Sequence, residues 1–189
     1  MARAAVAGGA VGIRANYVGD INDIKKEVDV PVIGIIKEVY PDSDVYITPT
    51  LKEVKALLTT GCEVIALDCT QRNRPNGEKL EDLVKYIRQN APDVELMADC
   101  SDFKDAEIAH KLGFDYIGST MRGYTPYTKG IEIPDCEFLT KLVKSFPDTK
   151  IIAEGGIWER DQLAKVCECG VYAIVIGSSI TRPKDITQR

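Results

Sequence analysis

The feature that most limits the fold of this chain is a series of short, unbroken apolar runs. Each carries polar or small residues near its end, and all but the last are followed by an amphipathic stretch. The runs cover 10–16, 30–38, 63–70, 94–100, 115–121, 149–157 and 171–180, with helical patterns between them at 20–28, 48–61, 77–90, 102–113, 134–146 and 159–170. Pro49 stands near the start of the second helical stretch and Gly61 closes it. A strand with one wet face alternates apolar and polar residues. These runs do not alternate, so both their faces are buried, as in a parallel sheet covered by helices. The βα repeat has no long linker and no low-complexity segment, which predicts a single α/β domain over 1–189.

Two architectures fit: an open doubly wound sheet and a (β/α)8 TIM barrel. No Gly-x-Gly-x-x-Gly follows the first run, which counts against the dinucleotide-binding version of the open sheet. Arg14, Lys37, Asp68, Asp99, Thr120, Glu154 and Ser178 all fall at or just past the ends of the runs. A barrel gathers strand ends at one mouth, where catalytic groups sit, so the TIM barrel is the expected fold class. Only seven strands are found, and "MARAAVAGGA" reads as the end of a helix. The first strand and most of the first helix are therefore expected to be missing, leaving "VGIRA" and "AIVIGSS" with open edges.

The 189 residues carry a net charge of −5, which argues against a nucleic-acid partner. No apolar run approaches the roughly 18 residues of a membrane helix, and no secretory signal is read, so a cytoplasmic protein is expected. None of the six cysteines forms a CxxC pair, and the lone histidine, His110, lies in a helical stretch. No metal site is expected from such a set, and the cysteines read as reduced thiols.

Three stretches carry candidate chemistry. In "IIAEGGI", Glu154 ends an apolar run and is followed by Gly155 and Gly156. It is either a strand-end carboxylate in water or beside a cation, or a carboxylate in the barrel mouth with glycines that let backbone approach a ligand. Lys37 ends "VIGIIK" and is either a rim lysine with its amine in water or a partly desolvated base paired with Glu154. "VIGSSITRP" joins a strand end to a helix start: an ordinary capped turn, or a phosphate site built from backbone N–H groups and Arg182. Arg14 is a second cation at the mouth. Asp68 and Asp99 occupy matching places in "ALD" and "MAD", where they could bind sugar hydroxyls or orient Lys37.

With "GIRAN", "PVIGIIK", "YITPTLKEV", "ALDCTQRNRPNGE", "MADCS", "GSTMRGYTPYT", "AEGGI" and "VIGSSITRP" on the page, the chain resembles the N-acetylmannosamine-6-phosphate 2-epimerases of sialic acid catabolism over nearly its whole length. The resemblance implies interconversion of N-acetylmannosamine 6-phosphate and N-acetylglucosamine 6-phosphate, by removal and return of the C2 proton and without a redox cofactor. It implies catalytic roles for Lys37 and Glu154, substrate contacts at Arg14, Asp99, Thr120 and Gly155, and phosphate contacts at Gly156, Gly177, Ser178 and Arg182. A phosphorylated N-acyl amino sugar is the expected partner, and a homodimer is an allowed assembly. Three departures from the family pattern stand out: no strand ending in a "SCQ"-like motif, Gly156 where many members have arginine, and a sequence that stops at "DITQR". Two rival readings are a phosphosugar aldolase using Lys37 as a Schiff base and a ligand-binding barrel without activity.

Overall fold

Seven strands lie in the hydrogen-bonded order β1 to β7, which is also their order along the chain. They are β1 (Ile13–Asn16), β2 (Val32–Ile35), β3 (Val64–Asp68), β4 (Glu95–Asp99), β5 (Tyr116–Gly118), β6 (Lys150–Glu154) and β7 (Ala173–Val175). The computed structural model describes all residues, 1–189. They divide into two compact units, Met1–Met97 and Ala98–Arg189, with β4 running through the boundary. Parallel neighbours need a crossover between them, and the helices supply it.

The first unit holds α1 (Ala2–Ala7), α2 (Val18–Glu27), α3 (Leu51–Leu58) and α4 (Leu80–Asn90). In it β1 pairs with β2 from Ile13↔Val32 to Asn16↔Ile35, and β2 with β3 at Ile33↔Val64 and Gly34↔Ile65. β3 is buried along its whole length, as its unbroken apolar run requires. Thr50 and Glu53 close a capping box at the start of α3, an arrangement that stabilises a helix by about 1 kcal/mol. At Gly34, α2 and α3 come close to the sheet. A Cβ there would lie 2.8 Å from Cys62 Sγ and 3.2 Å from both Ile21 Cδ1 and Leu57 Cδ2. The run expected to be strand over 30–38 leaves the ladder at Ile35. It then folds into a small antiparallel hairpin, with Lys37 bridged to Ile47 and Glu38 N–H donating to the Tyr46 carbonyl at 3.0 Å.

The second unit holds α5 (Phe103–Lys111), α6 (Cys136–Ser145), α7 (Arg160–Glu168) and two short helices, α8 (Ser178–Thr181) and α9 (Pro183–Thr187). β5 pairs with β6 from Tyr116↔Lys150, and β6 with β7 from Ile152↔Ala173. The 171–180 run is a strand only at 173–175 and turns into α8 after Gly177. The segment 119–135 after β5 is pinned at its base. Arg122 donates to Asp135 Oδ2 at 2.7 and 3.0 Å, Thr125 and Thr128 share a hydroxyl contact of 2.7 Å, and Asp135 also caps α6 through the Phe138 N–H at 3.0 Å.

Candidate active site

Each unit places polar side chains at the C-terminal ends of its strands. In the first, Lys37 follows β2 by two residues. Its N–H donates to Asn16 Oδ1 at 2.9 Å, and its carbonyl accepts from the Tyr17 hydroxyl at 2.9 Å. With the Ile47 bridge, its backbone is held from three directions while its side chain is exposed. Tyr17 has φ +69°, a region that typically costs a non-glycine residue about 1–3 kcal/mol. Of the two readings of Lys37, its exposure fits a rim lysine with its amine in water, held past the end of the β2 ladder by the hairpin. Arg14, on β1, is half-buried and donates to Met97 Sδ at 3.5 Å.

Asp68 ends β3 and is buried. Thr70 N–H and Oγ1 reach its Oδ1 at 2.9 and 2.6 Å, and Arg72 Nη2 reaches its Oδ2 at 2.6 Å. Arg74 is buried as well. It donates to the carbonyls of Pro49 at 2.9 Å, Thr48 at 3.2 Å and Asp68. Burial pushes the Asp68 carboxyl up, against the pull of Arg72 and Thr70. Both Asp68 oxygens are engaged by its own loop, a setting that fits loop anchoring. The signal was present in "DCTQRNR", whose donors stand two, four and six residues after the aspartate.

In the second unit three predicted residues come together. Asp99, fully buried at the end of β4, lies with its Oδ1 2.6 Å from Thr120 Oγ1. The same Oγ1 is 3.1 Å from Glu154 Oε2, at the end of β6. Ser119, which sequence reasoning missed, fixes the glutamate's backbone. Its Oγ donates to the Glu154 carbonyl at 2.9 Å and accepts from the Glu154 N–H at 3.0 Å. A small hydroxyl residue beside Thr120 at the end of an apolar run was the available signal.

Gly155 and Gly156 have φ of +105° and +72°. A Cβ at Gly156 would sit 2.5 Å from the Ile133 carbonyl oxygen, so the missing side chain makes room for the chain's own loop. At Gly155 the nearest atom to such a Cβ is Ile133 Cδ1 at 3.7 Å. Gly177 caps α8 and is exposed; its carbonyl accepts from the N–H groups of Ile180 and Thr181, each at 2.9 Å. Ser178 opens α8. Ser179 Oγ donates to the Ile157 carbonyl at 3.2 Å, tying this turn to the one after β6. Arg182 is exposed, 3.4 Å from Asp185. His110 meets Thr149 Oγ1 at 3.0 Å and packs against Phe146, a structural setting. No three His, Cys, Asp or Glu residues converge as metal ligands would, and no helix is long and apolar enough to cross a membrane.

The NanE family model, described as "Putative N-acetylmannosamine-6-phosphate epimerase", matches residues 1–189. A relative from Clostridioides difficile (strain 630) is 54% identical over 189 residues, covering 100% of this chain and 83% of its own. One from Staphylococcus saprophyticus is 52% identical over 190 residues, covering 100% and 85%. Both carry the name "Putative N-acetylmannosamine-6-phosphate 2-epimerase". Among solved structures, the N-acetylmannosamine-6-phosphate 2-epimerase from Clostridium perfringens superposes with a TM-score of 0.94 at 48% identity, covering 100% of this chain and 81% of that one. A thiamine phosphate pyrophosphorylase from Pyrococcus furiosus, at 20% identity and TM-score 0.66, shares the fold alone. The expected fold class holds: it is that of the TIM barrel, with seven consecutive strands in this chain.

Proposed function

Because the chain belongs to the NanE family of N-acetylmannosamine-6-phosphate epimerases, we propose that it interconverts N-acetylmannosamine 6-phosphate and N-acetylglucosamine 6-phosphate, in the breakdown of sialic acid. The observation that carries this reading beyond the family match is Glu154, a strand-end carboxylate fixed through its backbone by Ser119 and at its head group by Thr120. Epimerisation needs such a group. The proton on C2, beside the C1 aldehyde of the open sugar, leaves to a base; its bonding electrons pass to the C1 oxygen; a proton then returns to C2 on the other face. The anion formed in between is stabilised by cations and hydrogen-bond donors. In this scheme Lys37 exchanges the C2 proton and Glu154 is its acid–base counterpart. Arg14 contacts the sugar. Gly156, Gly177, Ser178 and Arg182 receive the phosphate. The enzyme works in the cytoplasm, as a homodimer if it associates at all.

The test is exchange of the substrate C2 proton in deuterium oxide, followed by NMR. Lys37→Ala should slow it by about 10²–10⁴-fold, the usual contribution of a general base. Exchange at the native rate would remove Lys37 from the mechanism.

A further inference from the structure

We infer that Thr120 is a positioning residue that joins Glu154 to Asp99 as one acid–base unit, rather than a contact to the sugar. The inference rests on the epimerase reading. Thr120 Oγ1 carries one proton and lies within reach of two carboxylates, 2.6 Å from Asp99 Oδ1 and 3.1 Å from Glu154 Oε2. The shorter contact falls in the range of a hydroxyl donating to an ionised carboxylate. With its proton spent on Asp99, the hydroxyl presents lone pairs to Glu154, and the second contact is most favourable when Oε2 carries a proton and donates it.

This arrangement is complete with one added proton on the pair, and it can be written two ways. In one, Glu154 is protonated and donates to Thr120, which donates to ionised Asp99. In the other, Asp99 is protonated and donates to Thr120, which donates to ionised Glu154. Moving two protons by one place each converts the first into the second: two O–H bonds break, two form, and the threonine hydroxyl and the charge of the pair are unchanged. Glu154 can thereby change from acid to base without exchanging a proton with bulk water. Asp99 suits the role of internal reservoir because it is fully buried. Ser119 fixes the backbone of Glu154 on its own, so the Thr120 hydroxyl remains for the head group.

The experiment compares Thr120→Val, which keeps the shape and removes the hydroxyl, with Thr120→Ser, which keeps the hydroxyl. Steady-state epimerisation of N-acetylmannosamine 6-phosphate and thermal melting are measured on both and on the native chain. Failure of the native chain to epimerise would sink the functional reading itself. Given native activity, Thr120→Val should lower kcat by about 10²-fold, as misplaced catalytic groups do, and leave KM nearly unchanged. Thr120→Ser should recover most of the loss. Should Thr120→Val not fold, Thr120→Ala takes its place in the comparison with serine. Native kcat without the hydroxyl, a loss confined to KM, or a serine variant as impaired as the valine one would each overturn the inference.

Discussion

Asp68 and Asp99 hold equivalent places in sequence, the first before "CT" and the second before "CS", each at the end of a buried run. Their surroundings differ in kind. Asp68 is closed off by Thr70 and Arg72 from its own loop, with Arg74 gripping the backbone behind it. Asp99 is reached by Thr120 from the end of another strand, and through it by Glu154. A carboxylate whose partners are local arginines holds a loop in place. One that shares a hydroxyl with a second carboxylate links the ends of two strands.

The largest effect expected to test this contrast comes from neutralising each aspartate in turn. Asp68→Asn leaves Arg72, 11% exposed at its side chain, without its counter-charge. Breaking a buried pair from one side costs about 3–5 kcal/mol, so chemical denaturation should show a large loss of stability, with turnover per folded molecule little changed. Asp99→Asn should do the reverse, lowering kcat by about 10²-fold while the melting midpoint moves far less. Equal stability losses in the two variants would erase the distinction.

A middle-sized effect separates loops held by charge from loops held by shape. The segment that includes Ile133 rests against Gly156, with its carbonyl where a side chain would begin. Gly156→Ala should cost about 1–3 kcal/mol, from overpacking added to an unfavourable φ. Gly155→Ala, with a positive φ but an open neighbourhood, should cost less in the same denaturation assay. A reversed order would mean that Ile133 yields easily.

The smallest effect concerns an ion pair that is not buried. Glu63 accepts from the Val32 N–H at 2.8 Å and from Lys25. Burial pushes its carboxyl up, but the Lys25 ammonium and the Val32 N–H carry it, on balance, below its ordinary 4.5. The folded chain therefore holds this proton less tightly than the unfolded chain does. The stability it contributes is present above pH 4.5 and is lost as pH falls through the lower folded value. Glu63→Gln should flatten that acid limb slightly in melts across the range, with little change at neutral pH. A fall at neutral pH as large as that of Asp68→Asn would show that burial does not set the scale.

The strand-end positions could be read from the sequence because a buried strand must be apolar until it stops, which puts Asp68, Asp99 and Glu154 at the ends with no further information. Their partners could be read only where they were local. Thr70 and Arg72 follow Asp68 within four residues, but Thr120 lies 21 residues from Asp99 and 34 from Glu154. Such links depend on strand pairing, which an apolar run does not encode residue by residue. The hairpin at Lys37 escaped for a related reason. "GIIKEV" continues the apolar pattern, while the turn that ends the ladder is set by pairing with 46–48.

At Gly34, Cys62 Sγ, Ile21 Cδ1 and Leu57 Cδ2 already occupy the space a side chain would need. Any side chain at 34 requires Cys62, Ile21 and Leu57 to give way together, so the position holds glycine for as long as those three neighbours keep their size, and a smaller residue at 62 relieves the tightest of the three contacts.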